Sequence, residues 1–159
     1  MPKLAIIVGS EKDIPKIDDC IKTLKEFEID FELKILSAHR TPDETAEFVK
    51  NAKSRGIELF ICGAGLSAHL PGVVASYTTA PVIGIPFEVK LHGIDSLLSI
   101  VNMPAGVPVA TVGIDAAKNA AILAAEILSL KYPELSKKIE QKRQEAREKI
   151  ITKNKELHI

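Results

Sequence analysis

The stretch Leu4–Val8 contains no polar side chain, and Ile14, Ile17, Ile21, Leu24 and Phe27 follow it at steps of three and four. The first pattern is a strand buried on both faces, and the second is the apolar stripe of a helix laid against it. The alternation repeats. Phe31–Leu36 reads as a second strand, Pro42–Arg55 as a helix ended by Gly56, and Leu59–Cys62 as a third strand. A short helix is expected over Ala68–Ser76, a fourth strand over Val82–Ile85, and helix again over Ser96–Val101. A fifth strand at Val109–Val112 and an Ala-rich helix at Ala116–Lys131 complete the series. Strand and helix in strict alternation build a parallel sheet with helices on both faces. The predicted fold is therefore α/β, a flavodoxin-like doubly wound parallel sheet of about five strands in three layers, with a protruding C-terminal helix.

With 159 residues the chain has the length of one domain. Such a chain buries roughly two-thirds of its surface without disulfides or metal. Cys20 and Cys62 form no C-x-x-C pair and read as small buried hydrophobes of a reducing cytosol. No apolar run approaches the ~18 residues of a membrane span, and Leu4–Val8 is too short for a signal-peptide core. A cytoplasmic location is the expectation, with no membrane partner. Basic and acidic residues balance at 21 each, and five Phe, two Tyr and no Trp leave few platforms for stacking bases, so no nucleic-acid partner is expected.

The balance conceals a division. Residues 131–159 carry nine basic and five acidic side chains, whereas residues 1–130 carry 12 and 16. The chain is thus expected to divide into a flavodoxin-like domain over 1–132 and a charged helix over 133–159. Leu135, Ile139, Ala146 and Ile150 form on that helix a stripe too thin for a monomer's core, which fits a solvated helix with i,i+4 pairs such as Glu145 with Lys149, a basic arm for nucleic acid or, the expectation adopted, packing on another subunit.

In an open parallel sheet ligands bind beyond the carboxyl ends of the strands, which directs attention to three loops. Gly9-Ser10-Glu11-Lys12-Asp13 follows the first strand, and its backbone N–H groups at a helix start make an anion site, while Ser10 and Asp13 also fit a capping box. In Ser37-Ala38-His39-Arg40-Thr41-Pro42, Thr41 as cap, Pro42 and Glu44 account for a helix start and leave His39 and Arg40 without a structural reason. Imidazole titrates near neutrality and guanidinium grips phosphate with two parallel bonds, so the pair suits proton transfer on an anionic substrate. The third loop, Gly63-Ala64-Gly65-Leu66-Ser67-Ala68-His69-Leu70-Pro71-Gly72, matches G-x-G-x-x-A, the dinucleotide fingerprint, with Glu88 near the place of its ribose-binding acid. That fingerprint belongs after the first strand of its unit, however, so a close approach of backbone to a small ligand is the simpler reading, with His69 either a polar contact or a helix-start residue. No metal-ligand spacing, P-loop or serine elbow is present. The inventory fits cofactor-free acid–base chemistry on a small phosphate.

At these loops the sequence resembles the 5-(carboxyamino)imidazole ribonucleotide mutase family of de novo purine synthesis, from Leu4 to about Leu130. The matching blocks are Gly9-Ser10-x-x-Asp13, Ser37 through Pro42, Gly63-Ala64-Gly65 with Ala68 through Gly72, Asp95 through Val101 with Met103-Pro104, and Gly106 through Val112. The resemblance implies an octamer without metal or organic cofactor, acting on a ribonucleotide with carbon dioxide as intermediate. It further implies that Ser10 and Asp13 hold the ribotide, that Ser37 and Arg40 contact its phosphate, and that His39 is the catalytic residue. The run Gly63, Ala64, Gly65, Ala68, His69 and Leu70 would line the pocket for the carboxyl group or carbon dioxide. A sister branch carboxylates aminoimidazole ribonucleotide directly and carries Lys-Gly after its histidine, so Arg40-Thr41 and His69-Leu70-Pro71-Gly72 favour the mutase. Lys12 and Ile14 stand where the family has Ser and Trp, and Leu66-Ser67 stand where it has Gly-Ala, which narrows the implied carbon dioxide pocket. The rival readings are direct carboxylation, a dinucleotide-binding module and a purely structural oligomer.

Overall fold

The computed structural model describes residues 1–157, so the last two positions of the expected 133–159 segment lie outside the described residues. Five parallel strands form one sheet: β1 (Lys3–Val8), β2 (Asp30–Ile35), β3 (Leu59–Gly65), β4 (Val82–Phe87) and β5 (Ala110–Thr111). Their order is β2-β1-β3-β4-β5, with Leu4 paired to Phe31 on one side and Leu59 on the other. The order reverses between β1 and β3. Successive connections leave the sheet there on opposite faces and open a crevice at the strand ends.

Helices α1 (Asp18–Glu26), α5 (Ala117–Ser129) and α6 (Pro133–Glu156) cover one face, and α2 (Pro42–Lys50), α3 (Leu70–Ser76) and α4 (Ile94–Val101) cover the other. Leu4, Ile6 and Val8 point into the first layer against Cys20, Leu24 and the small residues Ala120, Ala121 and Ala124, while Ala5 and Ile7 enter the second beside Phe60, Val74 and Ile100. Burial on both faces of β1 is what its unbroken apolar sequence requires. Cys20 and Cys62 are both interior, and loss of solvent pushes the Cys20 thiol up to about 12 and the Cys62 thiol higher still. Neither is a nucleophile at neutral pH.

Several boundaries depart from the sequence reading: the helix expected over Pro42–Arg55 stops at Lys50 and is followed by a separate 3₁₀ turn at Lys53–Arg55, and β5 shortens from Val109–Val112 to Ala110–Thr111. The segment after β1 begins as a 3₁₀ turn, Glu11–Ile17, before α1, because Pro15 lies inside it and has no N–H to donate. Strand β3 runs past Cys62 to Gly65, since Gly63, Ala64 and Gly65 stay paired with Ile85, Pro86 and Phe87. Helix α3 starts at Leu70 rather than Ala68, with Pro71 in its first turn.

The charged C-terminal helix also corrects an expectation. Its stripe enters the core of its own chain at Leu135 (2% exposed) and Ile139 (6%), while Ile150 remains 65% exposed. Lys138 and Lys142 then pair with Glu28 and Glu26 of the α1 region at 2.8 and 2.9 Å, so the first half of α6 is docked on its own protomer. Among the described residues no helix is long and apolar enough to cross a membrane.

Candidate functional site

The loops after β1, β2 and β3, with the end of β4, enclose a cleft of about 920 Å³ at the carboxyl edge of the sheet. Its position follows from the strand order, since β1 and β3 flank the point where the topology reverses. The wall carries Ser10, Asp13, Ser37, His39, Arg40, Ala64, Gly65, His69 and Leu70.

In the loop after β1, the Lys12 amide donates to Ser10 Oγ at 3.3 Å and the Asp13 amide donates to the Ser10 carbonyl at 3.1 Å. The serine therefore caps the 3₁₀ turn and stands at the cleft mouth in one conformation. Asp13 is half-buried. Burial pushes its carboxyl above the ordinary aspartate range, and Lys16, Arg40 and the Ser10 amide pull the other way.

The loop after β2 is closed by Thr41. Its hydroxyl, expected as the cap of α2, instead turns back to accept from the Ser37 amide at 2.8 Å and to donate to the Ser37 carbonyl at 3.2 Å. That tight ring presents the intervening residues to the cleft. Ser37 Oγ accepts from the Arg40 amide at 3.2 Å and from Arg40 Nε at 3.4 Å, and the far end of the guanidinium, Nη2, donates to the Gly9 carbonyl at 2.5 Å. Arg40 thereby fastens the second loop to the first and brings its cation beside Asp13 and Ser10.

His39 Nε2 and His69 Nδ1 lie 2.8 Å apart, their rings edge to face at 4.8 Å between centroids. One nitrogen must donate and the other accept, so the facing pair holds a single hydrogen and the tautomer of one ring dictates that of its neighbour. Spacing along the chain does not betray this contact across 30 residues. His69 is the residue that precedes α3, but its side chain makes no capping hydrogen bond and turns to His39 instead.

Gly63 and Ala68 are not on the cleft wall. The ring of Phe87 covers Gly63, where an added Cβ would come within 2.3 Å of Phe87 Cζ, and a Cβ on Gly65 would sit 2.4 Å from Val89 Cγ2. Both glycines let a neighbouring side chain, Phe87 of β4 or Val89 just past its end, lie close over β3 beneath the cleft. Because they belong to a strand, and α3 begins only at Leu70, the turn that a dinucleotide fingerprint needs is not formed. Lys12, Lys16, Leu66, Ser67, Glu88 and Val89 join the wall as well. Of these, Lys16 and Val89 had no motif to mark them. Leu66 adopts a left-handed backbone with φ +56° and lies on the cleft wall, 48% exposed. Among the described residues no group of three or more His, Cys, Asp or Glu side chains is gathered as a metal site would need.

Taken together, the arrangement offers a corner of hydroxyls and a guanidinium at Ser10, Ser37 and Arg40, a half-buried carboxyl at Asp13, and a hydrogen-bonded imidazole pair, chemistry suited to an anionic sugar-bearing ligand. The family model described as AIR carboxylase matches residues 3–149. The N5-carboxyaminoimidazole ribonucleotide mutase of Pyrococcus abyssi is 57% identical over 146 residues, which are 91% of this chain and 84% of that protein. The protein of the same name from Thermotoga maritima is 52% identical over 99% of this chain and 92% of its own length. The crystal structure of Treponema denticola PurE superposes with a TM-score of 0.91 at 30% identity, covering all of both chains.

Proposed function

The chain belongs to the AIR carboxylase family, and from that membership we infer that it is a mutase of purine biosynthesis. It converts 5-(carboxyamino)imidazole ribonucleotide to 5-amino-4-imidazolecarboxylate ribonucleotide, moving a carboxylate from the exocyclic nitrogen to the ring carbon. The single observation that carries the chemistry is the His39–His69 contact in the cleft that also holds Ser10, Asp13, Ser37 and Arg40. A carboxyl shift needs a proton delivered to one atom and taken from another, and this pair is a reservoir for one proton beside an anion-binding corner.

In the proposed sequence His39, protonated, gives its proton to the carbamate nitrogen as the N–C bond breaks and carbon dioxide is released into the pocket. The electron-rich ring carbon attacks the trapped carbon dioxide, forming the new C–C bond. Neutral His39 then removes the proton from that carbon, which restores the aromatic ring and returns His39 to its starting state. No electrons are lost, and the proton spent in the first half is recovered in the second. Proton transfer of this kind contributes about 10²–10⁴-fold, and holding both fragments in register supplies much of the rest. His69 accepts from or donates to His39 and so steers its tautomer. Ser10, Ser37 and Arg40 bind the phosphate, Asp13 the ribose hydroxyls, and Ala64, Gly65 and Leu70 with Leu66 enclose the carbon dioxide.

Comparing turnover of the carbamate ribotide with turnover of the amine plus bicarbonate tests the reaction. The mutase converts the carbamate far faster, and the opposite preference would point to direct carboxylation.

We further propose that the working form is an octamer in the cytoplasm. On α4 the residues Ile94, Leu98 and Val101 are each about half exposed and lie on one face, an apolar surface that a second copy would cover. The proposed division at residue 132 leaves α6 as an arm whose near half docks at home and whose far half meets a neighbouring subunit.

A further inference from the structure

The rim of the cleft beyond β4 is held in an unusual way. After Phe87 the chain passes through Glu88 and Val89, both on the wall, and then through Leu91, His92 and Gly93, whose φ values are +44°, +53° and +77°. Left-handed backbone in two non-glycine residues persists only where surrounding contacts enforce it. The start of this segment, at Glu88, is held from elsewhere in the fold. Lys16, at the end of the 3₁₀ turn that carries Ser10 and Asp13, extends over the Phe87 ring at 5.2 Å and donates through Nζ to the Glu88 carbonyl at 2.6 Å. The same ammonium lies 3.4 Å from Asp115 Oδ1, and that oxygen accepts from the Glu88 amide at 3.2 Å. Asp115, itself at φ +52°, donates its amide to the Pro86 carbonyl at 2.9 Å. Both backbone groups of Glu88 are thus taken by a lysine and an aspartate that also pair with each other. The lysine comes from the loop on the opposite side of the cleft.

We propose that Lys16 is a positioning residue for the ribotide: with Asp115 it braces the Glu88–Val89 rim against the loop of Ser10 and Asp13 and so fixes the width of the cleft. The inference rests on the mutase reading of that cleft. Charge-assisted hydrogen bonds to backbone are strong enough to hold a short segment in one place, and the two side chains are only 30% and 42% exposed. A brace and a direct ligand contact differ in one respect. Asp115 is not on the cleft wall, so its removal affects binding only through the brace.

Steady-state kinetics on the carbamate ribotide with Lys16→Met, Asp115→Gly and the double variant therefore decide the matter, glycine being at home at the left-handed position. Each single variant is expected to raise KM about tenfold, the scale of one lost charged hydrogen bond, with kcat within about twofold of the parent. The double variant should be no worse than either, and Lys16→Arg should recover most of the loss. A KM unchanged in both single variants overturns the brace, as does a raised KM in Lys16→Met alone or a double variant whose losses multiply. If Lys16→Met fails to fold, Lys16→Gln and Asp115→Gly carry the same comparison. Failure of the unaltered protein to convert the carbamate ribotide would instead overturn the mutase reading.

Discussion

Asp13, proposed to bind the ribose, sits where water is partly excluded, and that position has a measurable consequence. Burial raises its carboxyl pKa against the pull of Lys16, Arg40 and the Ser10 amide. A carboxyl whose folded value exceeds its unfolded one adds stability only at low pH, and that contribution is lost as pH rises through the folded value. At neutral pH the ionised Asp13 therefore opposes folding of the ligand-free protein. Asp13→Asn is expected to raise the thermal midpoint at pH 7, to lose that advantage below about pH 4, and to weaken ribotide binding. Scanning calorimetry at both pH values checks it, and a lower midpoint at pH 7 would contradict the sign. At this scale much of the site was legible beforehand. His39 and Arg40 stood out because helix-start chemistry explained Thr41, Pro42 and Glu44 and left those two over, although Thr41 caps the loop rather than the helix. What could not be read was the meeting of His39 with His69 and the reach of Lys16 to Glu88, since both depend on how loops from different strands converge.

At the scale of elements, the floor of the cleft depends on β4 lying close over β3. Gly63→Ala would place a methyl 2.3 Å from the Phe87 ring, so the ring must move or the strands part. Overpacking of this sort costs about 1–3 kcal/mol, and denaturant unfolding should register that loss together with reduced turnover. Replacing Phe87 by Leu in the same background should recover much of the stability, whereas unchanged stability in Gly63→Ala would mean the floor is looser than described. The strands and helices themselves were readable because buried parallel strands are apolar on both faces and the helices keep their three-to-four spacing. Ends were less so. Gly63-Ala64-Gly65 looks like a turn by composition, yet its small residues remain in register with β4. Pro15 converts an expected helical turn into a 3₁₀ one. For α6, a thin stripe of apolar residues was enough to dock half a helix because Leu135 and Ile139 reach the core, with Lys138 and Lys142 pairing to Glu28 and Glu26 at its edge.

Across the whole molecule, α6 and α4 present what a single copy leaves uncovered. Beyond Arg143, which pairs with Glu126, the hydrogen bonds of α6 run along the helix itself, as between Gln144 and Glu148 or Lys153 and Glu156. Removing residues 144–159 should leave each protomer folded, since Leu135 and Ile139 stay in the core, but lower the assembly mass measured by light scattering. An unchanged mass would assign assembly to α4 and other surfaces. The reading of function stands or falls on the imidazole at the end of β2, which must move the proton twice in each turnover. Turnover of the carbamate ribotide by His39→Asn, measured beside calorimetric affinity for the same ribotide, tests this most directly. A fall of at least about 10²-fold in kcat, the range of general acid–base help, with affinity within a few-fold of the parent, is the predicted result. A near-normal rate in that variant would contradict it.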